Sequence, residues 1–347
     1  MTGTQPSTPD GMTSDFAAGS SRRTGGANPL FSGRTIGLVI SAGILFAILG
    51  ARSSSFLSPY TMEVLSRQIA IFALIALSQA VCLVVGGMNL SVGAIASIAT
   101  VVLGLCMQDL HLPGLLAVPV VLVAGALAGF LNGFLITRLK IDSFIVTLSM
   151  MFVYMGLRSG ISGGAPYALP DSFTFVGQKS LCGVPYALLL MVVVLALMSF
   201  VFRNTVFGRR LLATGGNADA ARLSGVSTDA MIVWANVLSG FFAGLAAILW
   251  ASKLGTAAPE TGDGWLVVSF AVAIIGGTGL TGGVISVVGI FMGAVIFMLI
   301  KHGLVEVRAN DYYANSFLGA LVLLAIIVDR AREVYDARRK AATQRAR

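Results

Sequence analysis

The side chains able to do chemistry are few and scattered. The chain has two histidines, His111 and His302, and three cysteines, Cys82, Cys106 and Cys182, with no Cys-x-x-Cys pair and no histidine cluster. This spacing supplies neither the ligands of a structural zinc site nor those of a catalytic one, so no metal site is expected. Cys82 and Cys106 fall in apolar runs and Cys182 stands alone in a polar stretch, which implies no disulfide framework. A phosphate-cradling P-loop needs Gly-Lys before Ser or Thr. The five lysines follow Leu139, Gln178, Ser252, Ile300 and Arg339, so no P-loop of that form is present. Gly277-Thr278-Gly279-Leu280-Thr281-Gly282 has the G-x-G-x-x-G spacing of dinucleotide sites, but that turn works between a strand and a helix of a βαβ unit. Here it separates two apolar runs in a chain with 41 glycines, and reads as a broken helix. No acid, base or nucleophile gathers near one membrane face as a membrane enzyme would require.

Those scattered groups are held by elements whose nature follows from composition. Of 347 residues, 56% are hydrophobic and 11% are charged, with a mean hydropathy of +0.88. So few charges cannot cover a soluble surface, and the apolar runs are continuous rather than alternating. The expected fold is all-α, a polytopic helical membrane protein with Gly-broken helices. Runs near 35–51, 67–85, 92–107, 115–136, 144–161, 185–202, 229–250, 265–277, 284–301 and 314–329 make about ten spans, the third and eighth of them short. Residues 1–33, rich in Ser, Thr, Gly and Pro, are expected to be a disordered cytoplasmic tail. Residues 330–347 are expected to form a basic one, after a transmembrane domain over 34–329. With the N-terminus inside, 16 Lys and Arg fall on the inner side and 7 on the outer, which places both termini in the cytoplasm. The net charge of +8 then faces anionic lipid rather than nucleic acid.

The spans contain an internal repeat. Val84-Val85-Gly86-Gly87-Met88-Asn89-Leu90-Ser91-Val92-Gly93-Ala94-Ile95 matches Ile274-Ile275-Gly276-Gly277-Thr278-Gly279-Leu280-Thr281-Gly282-Gly283-Val284-Ile285 at an offset of 190. Repeated halves with Gly-interrupted helices characterise transporters, and the breaks at Gly86, Gly87, Gly276, Gly277 and Gly279 are expected near the solute path. No Asp, Glu, Arg or Lys falls in the middle of a span, which argues against a proton- or ion-coupled carrier. Gln79, Asn89, Ser91, Asn132, Thr147 and Asn236 offer amides and hydroxyls without fixed charge. They can join helices or line a path suited to a neutral polar solute such as a sugar. Gly125, Gly129 and Gly133, and Gly240 and Gly244, recur every four residues and allow close helix approach, within the subunit or at a dimer seam.

The inside stretch 203–228 is polar, basic and punctuated by Gly, with a short helix expected from Asn217 to Leu223, capped by Asn217 and closed by Gly225. Within it, Asp219-Ala220-Ala221-x-x-x-Gly225 resembles the EAA-x-x-x-G coupling motif of bacterial ABC importer permeases, with Asp in place of Glu. Phe207-Gly208-Arg209-Arg210, then Gly215-Gly216-Asn217 and Ser224-Gly225-Val226, look like the ribose/xylose/arabinose type within the branched-chain amino acid and sugar permease superfamily. So do Gly86 to Gly93 and Gly276 to Gly279. Asn132-Gly133 and Ile141-Asp142-Ser143-Phe144-Ile145-Val146-Thr147-Leu148 are similar to the family's N-G…I-x-[PS]-F-I-x-T-L run, with Ser143 where the family often has Pro. The matches cover about residues 65 to 329.

The resemblance implies a permease subunit of the bacterial inner membrane that binds no cofactor of its own. It would work as a pair, with ATP on a cytoplasmic ATPase subunit and with a periplasmic or lipid-anchored solute-binding protein. Arg209, Arg210, Asn217, Asp219, Ala220, Ala221, Arg222 and Gly225 would then meet the ATPase. The implied cargo is a pentose or hexose. A branched-chain amino-acid permease and an ion-coupled carrier acting alone are the alternatives, and the Asp-Ala-Ala loop with Met88-Asn89-Leu90-Ser91 favours the sugar branch.

Overall fold

Caps and glycines set the helix ends in the computed structural model, which describes residues 33–306 except 54 and 182, and the helical residues 316, 319, 320, 323 and 327. The helices are α1 (Gly33–Arg52), α2 (Pro59–Val84), α3 (Val92–Gly104), α4 (Gly114–Leu139), α5 (Ser143–Ser162), α6 (Phe175–Gln178), α7 (Tyr186–Asn204), α8 (Val206–Gly216), α9 (Ala218–Leu223), α10 (Thr228–Leu254), α11 (Trp265–Ile275) and α12 (Val287–Glu306). A π-helical turn, Leu105–Asp109, extends α3. Ser58 caps α2 ahead of Pro59, and the Asp142 carboxylate accepts from Phe144 N at 2.8 Å to start α5. Gly163 and Gly255, at φ +61° and +71°, close α5 and α10.

Eight of the described helices are long and apolar enough to cross a membrane. The expected tail 1–33 lies outside the described residues except for Gly33, as do Cys182, most of the expected span 314–329 and the basic tail 330–347. Helix α2 is the axis of the bundle, buried along most of its length, with α10, α3, α11, α12 and α7 packed on it. Helices α1, α4, α5 and α7 instead turn apolar side chains outward, including Leu115 at 86% exposure. An apolar surface of that extent belongs in lipid.

Pro119 sits inside α4, and α4 runs along α10 on its glycines. A methyl on Gly125 would lie 2.5 Å from the Gly240 carbonyl oxygen, and one on Gly133 would lie 2.7 Å from Val233 Cα. The glycine stripe is therefore filled within the subunit, the first of the two readings of these positions.

The short eighth span has a structural explanation. Helix α11 is eleven residues long, about 16 Å, roughly half a bilayer core. The missing length is a non-helical segment, a two-residue strand followed by turns. Strand Thr256–Ala257 (β4) pairs antiparallel with Tyr167–Ala168 (β1), whose Tyr167 ring lies over Gly104 at one end of α3. A second two-residue pair, Ser180–Leu181 (β2) with Val184–Pro185 (β3), precedes α7. Residues 258–264 then descend along α3 until Gly262 meets Gly93 backbone to backbone. Gly93 and Gly104 are eleven residues apart, about 16 Å of helix. The eighth span is thus half non-helical and half helical. Its irregular backbone is tolerated where Pro259, Thr261 and Gly262 are buried against protein, and there Ser97 Oγ donates to the Thr261 carbonyl.

The repeat is present as two matching helix ends. Gly86 N donates to Leu83 O at 2.9 Å and Gly87 N to Cys82 O at 3.1 Å. Gly277 N donates to Ile274 O at 2.9 Å and Thr278 N to Ala273 O at 3.0 Å. These are Schellman ends, with left-handed φ of +80° at Gly86 and +93° at Gly277. The turns correspond at an offset of 191 (277 less 86), one residue from the letter-by-letter match.

Candidate functional site

The turn between α2 and α3 carries the densest buried polar cluster singled out from sequence. Asn89 Oδ1 accepts from Ser91 N at 3.0 Å and from Ser91 Oγ at 2.7 Å, a local Asx turn that starts α3. Its Nδ2 donates to Ser239 Oγ on α10 at 2.9 Å. From α4, Asn132 Nδ2 donates to Ser91 Oγ at 2.7 Å, and from α5 the Tyr154 hydroxyl donates to Asn132 Oδ1 at 3.1 Å and to Ala128 O at 2.8 Å. Ser78 Oγ on α2 donates to Ser239 O at 2.8 Å. On the other side of the turn, Leu90 N donates to Thr147 Oγ1 at 3.1 Å and Met88 N to Ser143 Oγ at 3.0 Å. Ser143, the departure from the family's usual Pro, supplies the acceptor for the turn. Asn89, Ser91, Asn132, Thr147 and Ser239 are fully buried.

The network ties α2, α3, α4, α5 and α10 together in the arrangement described. Leaving one of its groups unpaired would cost about 1–3 kcal/mol. Tyr154 and Ser239 carry two or more of these bonds, and sequence spacing held no local signal for either.

Of the other expected path residues, Asn236 donates to Ile232 O within α10 and lines a cavity of about 210 Å³ with Cys82, Gly86, Gly87, Asp142 and Ser143. A second cavity of about 600 Å³ shares Ile136, Ile141, Asp142 and Ile232 with it and reaches Lys140, Arg222 and Asp229 beside α9. Gln79 is fully buried on α2, and neither of its amide atoms has a hydrogen-bond partner among the described residues. Gly276 packs on Gly289 of α12, and Gly279 lies in the turn between α11 and α12. A further cavity, about 1250 Å³ between α4, α7 and α10, is lined by Leu115, Leu122, Val193, Leu197, Phe241 and Leu245 among others. A hydroxylated solute would find almost no partner in it.

One charged group departs from expectation. Arg158, one turn from the end of α5, is 8% exposed and is engaged by the non-helical half of the eighth span. Its Nη1 donates to Asp263 Oδ1 at 2.6 Å, to the Pro259 carbonyl at 2.8 Å and to Ser97 Oγ at 2.8 Å, and its Nη2 donates to Asp263 Oδ2 at 3.1 Å. The bidentate geometry is what guanidinium and carboxylate favour. The Asp263 side chain remains 51% exposed. The pair joins α5, α3 and residues 258–264.

The polar loop forms two helices meeting at Asn217, whose N–H closes α8 on Ala213 O and whose Oδ1 accepts from Ala220 N at 3.0 Å to open α9. Val226 N donates to Ala221 O at 3.0 Å, and Gly225, at φ +79°, supplies the left-handed turn that ends α9. Arg209, Arg210, Asn217, Asp219 and Ala220 are exposed, whereas Ala221 is buried. Arg222 turns back to α10, donating to Thr228 Oγ1 at 2.7 Å and pairing with Asp229 at 3.4 Å. It braces the loop. Sequence reading passed over Leu223, which stands 91% exposed at the tip of α9.

Comparison with known proteins agrees with this architecture. Residues 61–326 match the family described as "Branched-chain amino acid transport system / permease component". The chain is 30% identical to the ribose import permease protein RbsC of Haemophilus influenzae over 291 residues, covering 82% of this chain and 90% of that one. It is 30% identical over 319 residues to the L-arabinose ABC transporter permease protein AraH of Azospirillum brasilense, covering 92% and 93%. It is 32% identical over 298 residues to the autoinducer 2 import system permease protein LsrC of Photorhabdus luminescens, covering 85% and 89%. With its multi-pass helical bundle, its repeated helix ends and this match over most of its length, the chain belongs to the family of branched-chain amino acid transport system permease components.

Proposed function

We propose that this chain is the membrane-spanning permease subunit of an ATP-binding-cassette importer that carries a monosaccharide inward. It acts in the cytoplasmic membrane with both termini inside, paired with a second permease subunit. A separate ATPase docks on the α8–α9 loop, and a binding protein delivers solute to the opposite face. The observation that carries the reading is the α8–α9 pair itself, exposed, basic, capped at both ends and tipped by Leu223. The relatives named for ribose and arabinose import support the sugar. The buried network supports it too, because it is built from amides and hydroxyls, and its neighbouring ion pair is internally neutralised. A zwitterionic amino acid would call for uncompensated charge along its route.

Transport follows from coupled populations. ATP binding to the partner favours one packing of the bundle, ADP and phosphate another, and the loop transmits the difference. The test is co-expression with the ATPase subunit. Leu223→Asp and Arg209→Glu are both on exposed sites and should leave the bundle monodisperse while co-purification falls roughly tenfold or more, as for loss of an apolar or charged anchor at an interface. Reconstituted with ATPase and binding protein, the wild type should take up a pentose or hexose only with ATP. Uptake without ATP, or uptake of a branched-chain amino acid instead of a sugar, would overturn the reading.

A further inference from the structure

The structure places both repeat segments against the end of α8, at Val84 and at Gly282–Gly283, which gives them a role apart from the solute path. Three backbones meet at the C-terminal end of α8. A methyl on Gly215 would overlap the Val84 carbonyl oxygen and lie 2.6 Å from Gly283 N. One on Gly282 would lie 2.8 Å from Gly215 O and 2.9 Å from Gly86 N. One on Gly283 would lie 2.7 Å from Gly216 Cα. Gly283 N donates to Val84 O at 2.8 Å, which closes the contact between the two repeat segments. Gly86, Gly282 and Gly283 have φ of +80°, +84° and +74°, so glycine suits all three for conformation, and Gly282 and Gly283 for space as well.

We infer that Gly215, seated on Val84–Gly86 and Gly282–Gly283, is the positioning residue through which displacement of the α8–α9 loop reaches both repeat segments at once. The inference rests on the reading of that loop as the ATPase dock. The physical argument is stiffness. Side chains can change rotamer and absorb a small shift, whereas backbones in direct contact cannot, so a shift of α8 is passed on. Val84 ends α2, the buried axis of the bundle, and the turn after it leads through Asn89 and Ser91 into α3 and the polar network. Gly282 and Gly283 lie between α11 and α12, and α11 is joined to α12 by the Gly276–Gly289 approach. A single contact thus reaches the network and the half-helical eighth span together.

The adjacent glycine provides a matched control, because a methyl on Gly216 meets nothing within 4 Å. Gly215→Ala and Gly216→Ala make the same chemical change one residue apart. Each would be reconstituted as the whole importer with ATPase and binding protein. Both variants should co-purify with the ATPase like the wild type. Gly216→Ala should support uptake within about twofold of wild type, whereas Gly215→Ala should lose uptake roughly tenfold or more, as for a methyl forced into a packed contact. It should also lose stimulation of ATP hydrolysis by loaded binding protein while the basal rate persists. Normal uptake by Gly215→Ala, or equal loss in both variants, would overturn the inference.

Hydrogen exchange on the wild-type complex tests it without a variant. Nucleotide trapping should change protection in 213–217, 83–87 and 280–285 together. A change in 213–217 alone would also overturn the inference. A wild-type chain that fails to bind the ATPase would remove the reading of the loop beneath it, an outcome distinct from both.

Discussion

Arg158 shows what a single residue contributes. It satisfies three acceptors from two other elements, so truncating it strands the Pro259 carbonyl and Ser97 as well as Asp263. Breaking a fully buried pair costs about 3–5 kcal/mol and an exposed one about 0–1. With Asp263 half exposed, Arg158→Ala should destabilise the solubilised subunit by about 1–3 kcal/mol in thermal unfolding. Asp263→Asn should cost less, because the guanidinium keeps its bonds to Pro259 and Ser97. Equal stability of Arg158→Ala and wild type would show that the pair holds nothing in place. From sequence, Arg158 reads as an end-of-span residue, since its partner lies 105 positions away. The same distance problem hid Tyr154 and Ser239, whereas Asn217 and Gly225 were legible because caps are local.

At the scale of elements, glycine has opposite consequences on neighbouring helices. On α4, a methyl at Gly129 would overlap the Asn236 carbonyl of α10, while on α5 a methyl at Gly156 meets nothing within 4 Å. Gly129→Ala should therefore destabilise the subunit by about 1–3 kcal/mol, the usual cost of overpacking. Gly156→Ala should be neutral or stabilising by up to about 1 kcal/mol through helix propensity. Unfolding of the two variants in detergent checks the contrast, and equal effects would contradict the α4–α10 packing. Both positions belong to four-residue glycine spacings in apolar runs, so the sequence marks them as packing surfaces without saying which is occupied. The eighth span makes the same point. A shortage of apolar residues was visible, but the non-helical half is polar and glycine-rich, and its partial burial comes from α3 and Arg158 rather than from its own hydrophobicity.

At the scale of the whole molecule, the fold separates two ends. The α8–α9 pair lies at one, and the β1–β4 pairing with Leu181 lies at the other. In a variant with Cys182 replaced by Ser, Leu223→Cys should react with an impermeant maleimide only from the cytoplasm. Leu181→Cys, likewise exposed, should react only from outside. The native Cys82 and Cys106 are buried and should stay silent in the folded protein. Labelling of both sites from one side would overturn the topology. Composition and run length alone determined that this is a helical membrane protein, because the cost of placing apolar runs in water or backbone in lipid depends on the chain locally. The capping residues, the repeated glycine turns and the family resemblance were likewise legible, being patterns over a dozen residues or fewer. Only the tertiary structure decided that the polar residues close a network, that the eighth span is half non-helical, and that the repeat glycines Gly282 and Gly283 abut α8 at Gly215 and Gly216. Each of these is a contact between residues far apart in the chain, selected by the packing of the bundle as a whole.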